Sequence, residues 1–235
     1  MELKTILKRM LYPQRCLLCD QIVDAQQSIP LCRQCHPEQF LPTGPRCIVC
    51  SRPVEEEGER CSGCREHKNV TTGRSTFLYD GAMRESIQQF KFGGMKDYAP
   101  GYAKLMMVYD QDWFSNLGTF FLVPVPIHQK RLRERGYNQA AEVARQLGRF
   151  LNVPVWEGLK RSVNTDPLKQ MSARARRESL KGAFIIEETA SMPKGTAVLV
   201  DDIYTSGSTV EKCAAALKGA VPDLDICFWS ITIRP

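Results

Sequence analysis

Residues 198–209, VLVDDIYTSGST, constrain the fold more than any other stretch of the chain. The apolar run 197–200 is uninterrupted, as expected of a parallel strand covered on both faces, and not alternating as in a half-exposed strand. Asp201 and Asp202 follow at its C-terminal end, where open α/β sheets place their ligand sites. Five small residues come next, Thr205, Ser206, Gly207, Ser208 and Thr209, and lead into a helical period that turns Val210, Cys213, Ala214 and Leu217 inward. Gly207 permits a close backbone approach, the first helix amides point at one spot, and hydroxyls add donors, which together make a cradle for a dianionic monophosphate. The two carboxylates, acceptors only, suit the hydroxyls of a ribose. An ordinary helix cap needs one such side chain, not five small residues in succession. The chain has neither G-x4-G-K nor G-x-G-x-x-G, which removes the main support for nucleoside triphosphatase and dinucleotide-binding readings.

Around this segment, apolar runs alternate with helical periods, a pattern that favours a mostly parallel sheet flanked by helices. Candidate strands lie at 75–79, 119–125, 153–157, 197–200 and 226–233. The clearest helix spans 139–151, with Ala140, Val143, Ala144, Leu147, Phe150 and Leu151 on one face and Asn138 at the N-cap. Cys213 on the later helix and Cys227 in an apolar strand read as buried thiols.

The other eight of the ten cysteines form four C-x-x-C pairs between positions 16 and 64. Cys16, Cys19, Cys32 and Cys35 are followed by Cys47, Cys50, Cys61 and Cys64 in a second unit of nearly the same spacing. A tight turn aims each pair of thiolates at one ion, and two pairs complete a tetrahedral shell, so two structural Zn2+ sites are expected in preference to iron–sulfur clusters. Pairing each set with its neighbour gives two sequential sites; a cross-braced arrangement, the first pair joining the third, has the same spacing. Apolar residues are too few here to fold a unit without metal. Residues 1–70 are therefore read as a small N-terminal double zinc-ribbon region and 71–235 as the α/β domain. Arg15, Arg33, Arg46, Arg52 and Arg65 could face a nucleic acid or protein partner, although Glu55, Glu56, Glu57 and Glu59 make the second unit acidic.

No apolar run approaches the ~20 residues that span a bilayer. Leu3, Ile6, Leu7, Met10 and Leu11 follow a helical period that ends before Pro13, and read as an amphipathic helix, docked on its own domain in preference to the alternative of a membrane anchor. Thiolate pairs confined to one end of a chain without a recognisable signal peptide indicate metal ligands in a reducing, cytoplasmic setting. The formal charge of +6 is a weak pointer to DNA, because each zinc with four thiolates adds about two negative charges. His36, His67 and His128 are not placed as catalysts.

With these residues in hand, the chain resembles the type I phosphoribosyltransferases, whose hallmark is a hydrophobic strand, two acids and a Thr/Ser/Gly phosphate loop. More narrowly, it resembles the ComF family of competence proteins across nearly its whole length. The N-terminal Cys pairs, FKFGG at 90–94, VPVP at 123–126, RGYNQA at 135–140 and KGAF at 181–184 support this, in order with VLVDDIYTSGST. The resemblance implies a type I phosphoribosyltransferase-like α/β fold in which Asp201 and Asp202 bind the ribose of phosphoribosyl diphosphate and Thr205, Ser206, Gly207, Ser208 and Thr209 bind its 5-phosphate. It also implies a pyrophosphate loop after 123–126, with Lys130 and Arg135 as contacts and Arg131 and Arg133 nearby, and Mg2+ accompanying the ligand. The basic stretch 160–181 looks like a flap over the site, or a surface gripping single-stranded DNA through Arg174, Arg176, Arg177 and Lys181.

The function so implied is a cytosolic factor of natural transformation that binds phosphoribosyl diphosphate and single-stranded DNA beside a helicase-like uptake partner. Two other readings stand with it. One is an active phosphoribosyltransferase, of the glycosyltransferase class, on an unidentified acceptor. The other is a zinc-ribbon interaction scaffold with a degenerate transferase domain.

Overall fold

In the computed structural model, which describes residues 13–24, 27–161, 183–187 and 192–234, four strands run parallel in one sheet. They are β1 (Thr72–Leu78), β2 (Phe120–Pro124), β5 (Thr196–Tyr204) and β6 (Ile226–Ile233), in the order β1-β6-β5-β2. A separate antiparallel pair is formed by β3 (Leu159–Arg161) and β4 (Phe184–Ile186). The central strands are the most apolar ones: every residue of β6 is buried, and so is Ala197–Val200 within β5.

Helices cover both faces. Helices α1 (Gly81–Phe92), α2 (Tyr98–Tyr109), α3 (Gln111–Ser115) and α5 (Gln139–Leu151) supply Ile87, Leu105, Phe114 and Leu147 to a core that includes Val198, Val200 and Trp229. Helix α6 (Ser208–Ala220) places Val210, Cys213, Ala214 and Leu217 against Leu199 and Phe228 on the other face, together with Leu159 and Phe184 of the small hairpin. A short helix, α4 (Gln129–Arg135), follows β2. The expected α/β architecture with a mostly parallel sheet is thus observed, and Cys213 and Cys227 are buried as anticipated.

The Cys-rich units do not form a separate core. Leu17, Leu18 and Val23 of the first unit join the face lined by α1, α2 and α5, whereas Val49 of the second joins the face lined by α6. Gly73 makes the second docking possible: a Cβ there would lie 2.3 Å from both the Phe228 ring and the Val49 carbonyl, closer than atoms can approach.

Some elements depart from expectation. Helix α5 has its expected bounds, with the Asn138 side chain accepting from the Ala140 amide, but Phe150 is 44% exposed. Gly148 meets the incoming chain instead, its missing Cβ leaving room for Val155 and the Val153 carbonyl. The strand expected at 153–157 is a single parallel bridge, Leu122 to Val155, next to Pro154, which has no amide to donate. The strand expected at 197–200 continues through both acids to Tyr204. The N-terminal helix expected at 3–11 and nearly all of the flap at 160–181, with Arg174, Arg176, Arg177 and Lys181, lie outside the described residues.

One buried carboxylate ties the helical layer to the sheet. Asp110, 1% exposed between α2 and α3, accepts from Arg74 Nε at 2.8 Å, Thr76 Oγ1 at 2.5 Å and Trp229 Nε1 at 2.9 Å. Three donors from β1 and β6 offset the cost of burying its charge. Asp110→Ala strands these donors and is expected to lower stability by roughly 3 kcal/mol, read as a shift in the urea midpoint with an unchanged slope.

Candidate functional site

The site is built where β5 outruns its neighbour. The last bond along that edge is from the Val125 amide to the Val200 carbonyl, 2.9 Å; the next rung is replaced by side-chain bonds, the Val125 carbonyl accepting from Asn138 Nδ2 and the Asp202 amide donating to Asp201 Oδ1. From Asp201 to Tyr204, among the described residues, β5 pairs with β6 alone. A crevice therefore opens beside the two acids, at the strand ends of a parallel sheet.

Asp202 is 7% exposed and pairs with Lys91 Nζ at 2.8 Å. Asp201 accepts from the Asp202 amide at 2.8 Å. Burial, and then the Asp202 charge, push Asp201 up to about 7, while Lys91 pulls it back. Next, Thr205 and Ser206 stand exposed, and Gly207 takes a left-handed φ of +71° as the N-cap of α6, with no side chain capping the helix. Apart from the Ser208 amide, 3.5 Å from Ser206 Oγ, the first helix amides have no side-chain acceptor among the described residues.

The motifs at 90–94 and 135–140 converge on Lys91. Tyr137 Oη and Gln139 Nε2 both donate to the Phe90 carbonyl, the latter at 3.2 Å. The Arg135 guanidinium lies 4.8 Å from the Phe92 ring centroid and donates to Gln139 Oε1 at 3.1 Å. Asn138 Nδ2 donates to the Val125 carbonyl at 3.0 Å, fixing the chain just past β2. Between these elements lies a cleft of about 560 Å3, lined by Lys91, Phe92, Arg131, Arg135, Tyr79 and Ile203 among others. Of the two cations singled out in the sequence, Arg135 lines the cleft, whereas Lys130 stands exposed on α4 and does not. Lys91 was not singled out; FKFGG was the only signal for it.

The cysteines form two clusters, Cys16, Cys19, Cys32 and Cys35, and Cys47, Cys50, Cys61 and Cys64, with the sulfurs in each within 4.8 Å of one another. Sequential pairing is therefore observed, and cross-bracing is not. The separations Cys19 to Cys32, 3.7 Å, and Cys50 to Cys61, 3.6 Å, match the ~3.8 Å edge of a tetrahedron whose centre lies about 2.3 Å from each sulfur, as in zinc tetrathiolates. They are far from a disulfide bond length. The units repeat in detail: the Cys32 and Cys61 amides each donate to the first sulfur of their set at 3.3 Å. Asp20 and Ser51, each just after the second cysteine, share a left-handed φ of 60° and 64°. Hydrogen bonds from Cys50 and Cys64 hold the Cys47 thiol well below its ordinary range, and the same contact with Cys47 pushes Cys50 far above it. So crowded a set fully ionises only around a cation.

Comparison with known proteins accords with both halves of this description. Residues 7–66 match the double zinc ribbon domain family. The competence protein ComFC of Bacillus subtilis is 27% identical over 226 residues, covering 86% of this chain and 88% of that protein. The chain is thus similar to a ComF-type competence protein over most of its length. Competence protein F of Haemophilus influenzae is 28% identical over 198 residues, covering 80% of this chain and 84% of that protein. The DNA utilization protein YhgH of Escherichia coli K12 is 28% identical over 191 residues, covering 73% and 83% respectively. These similarities run far past the ribbons into the sheet. Among the described residues, no helix is long and apolar enough to cross a membrane.

Two measurements follow. Elemental analysis is expected to give two zinc ions per chain, and one fewer in Cys50→Ser. Because the pKa of Asp201 is raised from 3.8 to about 7, the folded state keeps a proton between those values that the unfolded chain releases, so stability from this group falls as pH rises through that window. Asp201→Asn is accordingly expected to raise the urea midpoint at pH 8 and to leave it unchanged near pH 3.

Proposed function

We propose that the protein binds phosphoribosyl diphosphate with Mg2+ at the end of β5 and acts in the cytoplasm on single-stranded DNA during natural transformation, beside a helicase-like partner. The observation that carries the ligand reading is the single crevice edge on which Asp201, Asp202 and the 205–209 turn follow one another, with Gly207 left-handed at an uncapped helix start. In this reading the amides and hydroxyls of Thr205, Ser206, Gly207, Ser208 and Thr209 take the 5-phosphate, and Asp201 and Asp202 accept from the ribose hydroxyls. Lys91 pairs with Asp202 and orients it. Arg131 and Arg135 face the pyrophosphate from the cleft, and Lys130 is an outer contact. Mg2+ supplies charge neutralisation on the diphosphate.

The nucleic-acid part rests on the relatives, which are named for competence and DNA utilization, and on the cleft beside the acids. Phe92, 72% exposed, and Tyr79 present aromatic rings there, with Arg135 over the first and Arg234 over the second. Rings flanked by guanidinium groups suit stacked bases joined by phosphates.

Calorimetric titration with magnesium phosphoribosyl diphosphate tests the ligand. Saturable one-to-one heat is expected, strengthening between pH 6 and pH 8 as Asp201 ionises, and disappearing in the Asp201→Ala, Asp202→Ala double variant; absence of heat from the parent protein would contradict the reading. For DNA, fluorescence anisotropy with an oligothymidylate should show affinity that falls steeply with salt and weakens about tenfold in Phe92→Ala. A flat salt response would remove the nucleic-acid role.

A further inference from the structure

We propose that the second cysteine cluster is part of the phosphate turn: through Arg52, His67 and Tyr204 it fixes the backbone of residues 205–209 in its ligand-binding form. The metal of that unit, and not that of the first, then sets the affinity for the ligand's phosphate. The proposal rests on the reading of this turn as a phosphate site.

Three ties connect the unit to the turn. The Tyr204 hydroxyl, at the end of β5, lies 3.3 Å from Cys64 Sγ and 3.0 Å from His67 Nδ1. With the sulfur held as a thiolate, His67 donates to the tyrosine oxygen and Tyr204 donates to the sulfur. The Tyr204 ring is stacked on Phe228 with centroids 4.5 Å apart and the residue is 2% exposed, so it has little freedom to leave. Gly207 rests on this pair directly: a Cβ there would fall 2.0 Å from the Tyr204 hydroxyl and 2.1 Å from His67 Cε1. No residue but glycine fits, on grounds of space as well as of its φ of +71°.

The second tie is Arg52. Its Nη2 donates to the Thr205 carbonyl at 3.0 Å and the Arg234 carbonyl at 3.1 Å, while its Nη1 faces Cys61 Sγ at 3.9 Å. One guanidinium thus spans the thiolate cluster and the first residue of the turn. The third tie is Glu211, in the first turn of α6, which accepts from the Lys68 amide at 3.0 Å, the Asn69 amide at 3.1 Å and Asn69 Nδ2 at 2.6 Å. Residues 205–209 are therefore held at both ends by the chain that follows and includes the second cluster. The first cluster packs on the opposite face, where Asp20 accepts from Tyr98 Oη.

A turn that is already ordered does not spend binding energy on ordering itself. Arg52, His67 and Tyr204 are thus positioning residues, acting on the ligand through the backbone of the turn. Nitrogen-15 relaxation of the full zinc-loaded chain reads this without any ligand. The amides of residues 206–209 are expected to be rigid in the parent, with order parameters near 0.85, and to fall below about 0.6 in Arg52→Met. Tyr204→Phe should loosen them in the same sense, while helix α5 is unchanged and both zinc ions remain. Arg52→Lys, which keeps a charged donor for the Thr205 carbonyl, should recover most of the rigidity. In parallel, Arg52→Met should weaken binding of magnesium phosphoribosyl diphosphate about tenfold, and Cys19→Ser, which disables the first cluster, should not. Unchanged order parameters in Arg52→Met and Tyr204→Phe overturn the proposal even if the parent binds the ligand normally. If the parent gives no heat with the ligand while the turn still loosens in these variants, the brace stands and the ligand reading falls.

Discussion

The site depends on a difference in strand length. Among the described residues, β5 is paired on both edges as far as Val200, and its next four residues have a strand neighbour on one side alone. Backbone groups in the interior of a sheet are committed to the ladder; those beyond its end are available to ligands and side chains. Side chains set the limit, since Asn138 takes the Val125 carbonyl and Asp201 takes the Asp202 amide that would form the next rung. Both acids, the turn and the helix start that follows are placed by this one termination. The strand β6 on the other edge keeps the segment rigid, and Thr232 Oγ1 donates to the Asp202 carbonyl at 3.1 Å.

Charge is managed locally around this edge. Two neighbouring carboxylates with little access to water are costly, and the molecule offsets the cost unequally. Asp202 has Lys91 at 2.8 Å. Among the described residues, Asp201 has the Asp202 amide and more distant cations, and its pKa is raised. Lys91 is itself held because Tyr137 and Gln139 bond to the carbonyl of the residue before it. The short motifs at 90–94 and 135–140, remote in sequence, therefore serve one ion pair. Catalysis or binding at such an edge gains from groups oriented in advance, and this edge has them on both sides.

Much of this was legible in the sequence, for identifiable reasons. The run 197–200 is too apolar for anything but a strand covered twice, and Asn138 before a period of 3.6 fixed the start of α5. Regular C-x-x-C spacing identified the two clusters, though only folding could choose sequential pairing over cross-bracing. What escaped was governed by tertiary contact. Nothing in the composition of 16–64 says that Leu17 and Val49 reach opposite faces of the sheet. Lys91 is an ordinary lysine until Asp202 is beside it, and Phe92 and Tyr79 are distant aromatics until the cleft brings them together. Phe150 had the right period for the core but Gly148 took the close contact. His67 carries no motif, Arg52 read only as one of several arginines and Tyr204 only as a place in VLVDDIYTSGST; their meaning is in the contacts they make.

The central claim is that the end of β5 and the turn after it form a single ribose-phosphate site. A crystal structure of the zinc-loaded protein grown with magnesium phosphoribosyl diphosphate tests it most directly. The 5-phosphate is expected within hydrogen-bond distance of the amides of residues 206–209, with the ribose hydroxyls on Asp201 and Asp202. Electron density for the ligand elsewhere on the molecule, with the 205–209 turn empty, would contradict it.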